Sequence, residues 1–212
     1  MNNILSLKKD HSLNSGKAIA DHIVSIYRDQ VRNKEQLHQA IVANVFAITM
    51  KFESVDLQGP RQDPASYLNA YGDWFRTLMI ASFGNNLGRK RHLQPLSYAF
   101  LDFPNSRGSN PVHHRSELLK SGLLHIHAVI ALQLGAGQMC RIPLLVAGSA
   151  HRSPQFGDVK VEPFDPSRGT LANMVTYFKK GSDAVGSCCR TDGYDVFPRY
   201  KNASVKPNIE VA

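Results

Sequence analysis

Leu123 to Leu132 read LLHIHAVIAL, an apolar run broken only by two histidines. Such a run, rich in β-branched residues, reads as a buried strand, and strand side chains alternate between faces. His125 and His127 therefore share one side of the strand, while Leu124, Ile126 and Ile130 occupy the other. Any fold that accepts this segment must either satisfy two neighbouring imidazoles by hydrogen bonds within a core or give them a ligand. Neutral imidazole is a common metal ligand, so the pair could form half of a coordination shell. Both readings stay open on this segment alone.

The surrounding chain supplies a frame. Asn14 or Ser15 precedes apolar positions Ala20, Ile23, Val24, Tyr27 and Val31, the spacing of one helical face. A short helical piece follows from Glu35 to Ile41. At VFAITMKF, Val45 to Phe52, the period changes to two: Phe46, Ile48, Met50 and Phe52 form a bulky apolar face, with Val45, Ala47, Thr49 and Lys51 opposite. Asp63-Pro64 then opens a helix carrying Leu68, Tyr71, Phe75, Leu78 and Met79, and Gly84 closes it. The same spacing assigns Trp74 to the core rather than to a base-stacking platform.

Tyr98 to Phe103 is a second strand, in which Asp102 is acidic in an apolar context. A buried carboxylate without a partner is costly, so Asp102 either meets water at the strand end or faces a cation. A turn-rich connection containing His113 and His114 leads to the His125 strand, and Phe156 to Val161 is a fourth strand. A last helix spans about Thr170 to Lys180, with Gly181 as its stop. The order helix, strand, helix, three strands, helix predicts an α+β fold: an antiparallel, ferredoxin-like or RRM-like sheet with helices packed on one face. Residues 1–42 read as an N-terminal helical extension, 43–182 as the main domain and 183–212 as a polar, loosely ordered tail.

Charge points to partners. Across 212 residues, 25 Lys and Arg face 17 Asp and Glu, a net +8, which favours association with a polyanion such as nucleic acid. Arg89-Lys90-Arg91-His92 is the densest basic cluster, and it reads either as a solvated loop or as one that contacts phosphate. Three cysteines, Cys140, Cys188 and Cys189, lack both a C-x-x-C pair and a disulfide framework, which suits a reducing cytoplasm. No run approaches the ~18 apolar residues of a membrane span, so no membrane association is expected.

The last helix completes the pattern. Leu171, Met174, Val175 and Phe178 form its apolar stripe, with Tyr177 and Lys180 neighbouring one another at the stripe's edge. Taken in order, VFAITMKF, His125-Ile126-His127 and Tyr177-Phe178-Lys179-Lys180 resemble the motifs of the single-tyrosine HUH endonucleases, in particular rolling-circle replication initiator (Rep) proteins. The resemblance spans roughly Val45 to Gly181. It implies a metal-dependent nickase and strand transferase acting on single-stranded DNA at a replication origin or hairpin of a plasmid, phage or other mobile element, with host replication proteins as further partners. His125, His127 and a nearby acidic side chain would hold Mn²⁺ or Mg²⁺; by position this is Asp102, with Glu162 second. Tyr177 would be the nucleophile, assisted by Lys180, and Lys51, Arg89, Lys90, Arg91 and Lys179 would contact DNA. A transposase or relaxase of the same superfamily shares this chemistry. A non-catalytic basic nucleic-acid-binding domain, its histidines structural, is the alternative from a different class.

Overall fold

The computed structural model describes residues 15–52, 64–102, 124–136, 140, 142, 156–189 and 193–198. Its elements are α1 (Gly16–Arg28), α2 (Lys34–Asn44), β1 (Val45–Phe52), α3 (Pro64–Phe83), β2 (Leu96–Asp102), β3 (His125–Ala131), β4 (Phe156–Pro163), α4 (Leu171–Cys189) and β5 (Tyr194–Phe197). Short 3₁₀ turns occur at Arg91–Leu93 and Pro166–Arg168. The strands form one antiparallel sheet in the order β4-β1-β3-β2-β5, an α+β architecture. Helix α3 carries the chain from β1 to β2, and β3 fills the gap between them, a split β-α-β arrangement.

Local chemistry explains the starts. The Ser15 side chain accepts a hydrogen bond from Ala18 N at 3.0 Å, and Asn33 Oδ1 accepts one from Gln36 N at 2.9 Å, each satisfying a donor orphaned at a helix N-terminus. Gln36 replies by accepting from Arg32 N.

Helices cover both faces of the sheet, correcting the expectation of one. Phe46, Ile48 and Met50 of β1, Ile126, Ala128 and Ile130 of β3, and Ala99 and Leu101 of β2 pack against Tyr71, Phe75, Leu78 and Met79 of α3. On the other face Val45, Tyr98, Phe100, Val129 and Ala131 pack against Ile19, Ile23 and Tyr27 of α1 and Leu171, Val175 and Phe178 of α4. The physical reason lies in β2, which is buried at all seven positions and so needs cover on both sides. Helix α1 is thus part of the domain rather than an extension, and His22 Nδ1 ties it to the Tyr98 hydroxyl at 2.5 Å.

Register then divides this second face lengthwise. Val45, Leu96 and Ala131 align at one end, and Lys51, Asp102 and His125 align at the other. One end is core; the other carries polar side chains. Helix α4 runs along it from the apolar end, where Leu171 and Val175 are buried, to Gly181 against Asp102.

The chain beyond 182 also departs from expectation. Helix α4 continues through Gly181 to Cys189, and β5 adds an edge strand beside β2, with Leu101 N donating to Gly193 O at 2.8 Å. The reason is that Gly181 marks a close crossing rather than a stop: a Cβ there would collide with the Asp102 carboxylate. None of the described helices is long and apolar enough to cross a membrane.

Candidate metal centre

Three side chains meet at the polar end of the second face. Asp102, the last residue of β2, lies directly across the ladder from His125, and Phe100 lies across from His127. Asp102 is only 2% exposed. His125 Nε2 and His127 Nε2 approach each other to 3.1 Å and stand 3.7 and 3.4 Å from Asp102 Oδ2. The two nitrogen-to-carboxylate separations exceed those of ordinary N–H···O hydrogen bonds. They suit donors arranged about a common centre, since bonds of ~2.1 Å at right angles set neighbouring ligands about 3 Å apart. Asp102, His125 and His127 therefore form a group that could hold a metal ion, its candidate donor atoms all within 4.8 Å of one another. One anionic oxygen and two imidazole nitrogens are a donor set that divalent cations accept.

Neighbours fix the imidazoles. Thr49 of β1 pairs with His127, and its hydroxyl lies 3.2 Å from His127 Nδ1. When Nε2 carries the lone pair, Nδ1–H donates to Thr49 Oγ1, holding the tautomer that ligates. Phe178 of α4 stacks on the same ring, with centroids 4.6 Å apart and planes 4° from parallel. The His127 ring is thus clamped by a strand on one side and a helix on another. Thr49→Val, close in shape but without the hydroxyl, is expected to weaken Mn²⁺ binding about ten- to hundredfold by calorimetric titration.

The sequence-predicted residues divide into those this end of the sheet gathers and those it does not. Tyr177 is brought close: its ring centroid lies 6.3 Å from that of His127, and the side chain is 50% exposed. Other tyrosines are differently placed. Burial pushes the phenols of Tyr27 and Tyr71 well above their ordinary range, and Tyr71 is further tied to the Ser97 hydroxyl at 2.7 Å. Lys180, exposed, follows Tyr177 by three residues on α4. Lys51, also exposed, pairs with His125 across β1 and β3 and borders the site.

Three other sets of expected residues stand apart from the metal group. Lys179 is buried, paired with Asp183, and its Nζ lies 5.5 Å from the Tyr194 ring centroid. Arg89, Lys90 and Arg91 precede β2 and therefore lie at the end remote from Asp102; Lys90 Nζ donates to Phe83 O at the end of α3, at 2.7 Å. Glu162 stands across from Ala47 and is half-buried, with its carboxylate 3.0 Å from Lys160 and 3.8 Å from Arg168. It lies outside the metal group, and Glu162→Gln is expected to leave Mn²⁺ affinity unchanged in the same titration that tests Thr49. His113 and His114 lie outside the described residues.

The chain matches no protein-family model, no curated protein and no solved structure.

Sequence reasoning missed Thr49, Phe178 and Gly181 as supports of the site. Alternation in VFAITMKF had already put Thr49 and Lys51 on one face, but only the register sets them against His127 and His125.

Proposed function

We propose that the protein is a metal-dependent single-stranded DNA nickase and strand transferase of the single-tyrosine HUH Rep type, initiating rolling-circle replication of a plasmid, phage or related mobile element. One observation carries the reading: a half-exposed tyrosine on α4 stands beside the imidazole of a carboxylate and two-histidine group on the same face of the sheet.

In this reading Tyr177 Oη attacks the phosphorus of a DNA phosphodiester. The P–O3′ bond breaks, and the phosphoryl group stays on Tyr177 as a 5′-phosphotyrosyl ester. The phenol gives up one proton and the departing 3′-oxygen takes up one, so the strand is left with a free 3′-hydroxyl. Because the bond is exchanged for another ester, a second 3′-hydroxyl can reverse the step and rejoin strands. A phenol is a weak nucleophile until its proton is drawn off, and the exposed ammonium of Lys180, about one turn along α4, would favour the phenolate or contact the phosphate. Lys51 at the rim adds a cation for the DNA backbone. Asp102, His125 and His127 would hold the ion, which when bound would polarise a non-bridging phosphate oxygen and offset charge gained in the transition state. Two imidazoles with one carboxylate favour Mn²⁺ over Mg²⁺.

The test uses a pool of random-sequence single-stranded oligonucleotides labelled at the 3′ end, since the 5′-phosphotyrosyl link retains the downstream fragment. Incubation with Mn²⁺ should yield label that migrates with the protein on a denaturing gel, and EDTA should remove it. Binding of the pool with no protein-linked label in Mn²⁺ or Mg²⁺ would leave a basic DNA-binding domain without chemistry.

A further inference from the structure

Tyr177 and Phe178 are consecutive on α4, and both rings stand by His127, their centroids 6.3 and 4.6 Å from that of the imidazole. They are held differently. Phe178 lies within 4° of parallel to the imidazole and is 7% exposed, whereas Tyr177 is tilted by 56° and half exposed. The Phe178 ring also meets Phe100, with centroids 6.4 Å apart, and Phe100 is the residue that β2 sets across from His127. One side chain of α4 is thus seated on both members of a cross-strand pair, and one of those members belongs to the metal group.

An imidazole ligates only while its lone pair points at the ion, so the plane of the ring has to be held. Thr49 Oγ1, 3.2 Å from Nδ1, restrains one ring atom of His127. A flat ring lying parallel restrains the whole plane, which an aliphatic side chain in the same space would not do. The same contact fixes the turn of α4 that bears Tyr177, because residue 178 is its immediate neighbour. We infer that Phe178 is a positioning residue that couples ion binding at His127 to the placement of Tyr177. Linkage makes the coupling reciprocal: the docked helix favours the ligating orientation of the imidazole, and the helix is held docked when an ion fixes the imidazole. The inference rests on the metal-dependent nickase reading for what Tyr177 does there, but its test involves no DNA.

The experiment adds Mn²⁺ alone to the full chain and takes two readings. Calorimetry gives the affinity, and hydrogen exchange follows the peptides that span Thr176 to Lys180 with and without saturating Mn²⁺. Three variants are compared with the wild type, and thermal melts establish that each folds. Phe178→Leu removes the flat ring, Phe178→Tyr keeps it, and Val175→Ala trims another buried residue of the same helix, one turn earlier. In the wild type Mn²⁺ is expected to slow exchange in these peptides. Phe178→Leu should bind Mn²⁺ about tenfold more weakly and show no slowing even at saturation. Phe178→Tyr should restore both readings, and Val175→Ala should melt lower but respond to Mn²⁺ as the wild type does. Either reading unchanged in Phe178→Leu overturns the inference, as does a Val175→Ala protein that loses both. A wild type that takes no Mn²⁺, or takes it without slowing exchange, also overturns it, whether or not Phe178→Leu folds. A wild type that shows the Mn²⁺ response but forms no DNA adduct removes the nickase reading and leaves the coupling standing.

Discussion

Tyr177→Phe is expected to yield no protein-linked DNA while binding single-stranded DNA as the wild type does. The substitution keeps the ring beside His127 and Phe178 and removes one oxygen. With the side chain half exposed, neither folding nor the Asp102, His125 and His127 group should change. Loss of a covalent nucleophile should lower the rate about 10⁴-fold or more. The readout is the denaturing gel beside an anisotropy titration of the same oligonucleotide. An adduct persisting at wild-type yield would remove Tyr177 from the chemistry and leave the metal group to be explained without it.

Gly181→Ala tests how the nucleophile is positioned. Helix α4 crosses so close to β2 that a methyl group at residue 181 meets the Asp102 carboxylate, and Asp102 is buried with little room to yield. Either the helix lifts, carrying Tyr177 away from His127, or the carboxylate turns and spoils the donor arrangement. Overpacking of this kind costs about 1–3 kcal/mol, and a 1 Å displacement of a reacting group can cost about 10²-fold in rate. Adduct formation should therefore fall about a hundredfold while the protein still folds, with a lowered melting temperature. Metal affinity separates the two routes: it is retained if the helix lifts and falls if Asp102 turns. Wild-type adduct formation in a folded Gly181→Ala protein would mean that the crossing does not position the tyrosine.

The same glycine explains where the sequence was legible and where it was not. Gly84 ends α3 with φ at 76°, as a helix-stop glycine should, and Pro64 starts that helix as its position predicts. Alternation in VFAITMKF corresponds to β1 at Val45–Phe52, because period and capping are local properties. Gly181 carries the same local signature as Gly84, yet its use is set by a carboxylate 79 positions away in sequence. A strand that is buried on both faces, such as β2, shows no alternation, so the second helical layer was not readable from it. The four-residue β5 has too little pattern to stand out from a polar stretch.

The candidate site follows the same division. His125 and His127 were assigned to one side by alternation alone, and Asp102 stood out as acidic in an apolar strand. Which of Asp102 and Glu162 meets them depends on strand order. The β3-β2 pairing puts Asp102 across from His125, whereas Glu162 lies on β4, beyond β1. Helical spacing puts Lys180 beside Tyr177, but the partner that holds Lys179, Asp183, falls in the stretch whose sequence reads as tail. The charge of Arg89 to Arg91 is local and so legible in sequence, whereas their separation from Asp102 follows from topology.

If Tyr177 and the metal group serve one phosphate, the covalent link must be found on that residue and depend on that ion. The most direct measurement is to select a cleaved oligonucleotide from the random pool, form the adduct in Mn²⁺, digest the protein and locate the nucleotide remnant by mass spectrometry. The predicted result is a remnant on Tyr177, absent when the reaction contains EDTA. A remnant on Tyr194 or any other residue, or an equal yield in EDTA, would contradict it.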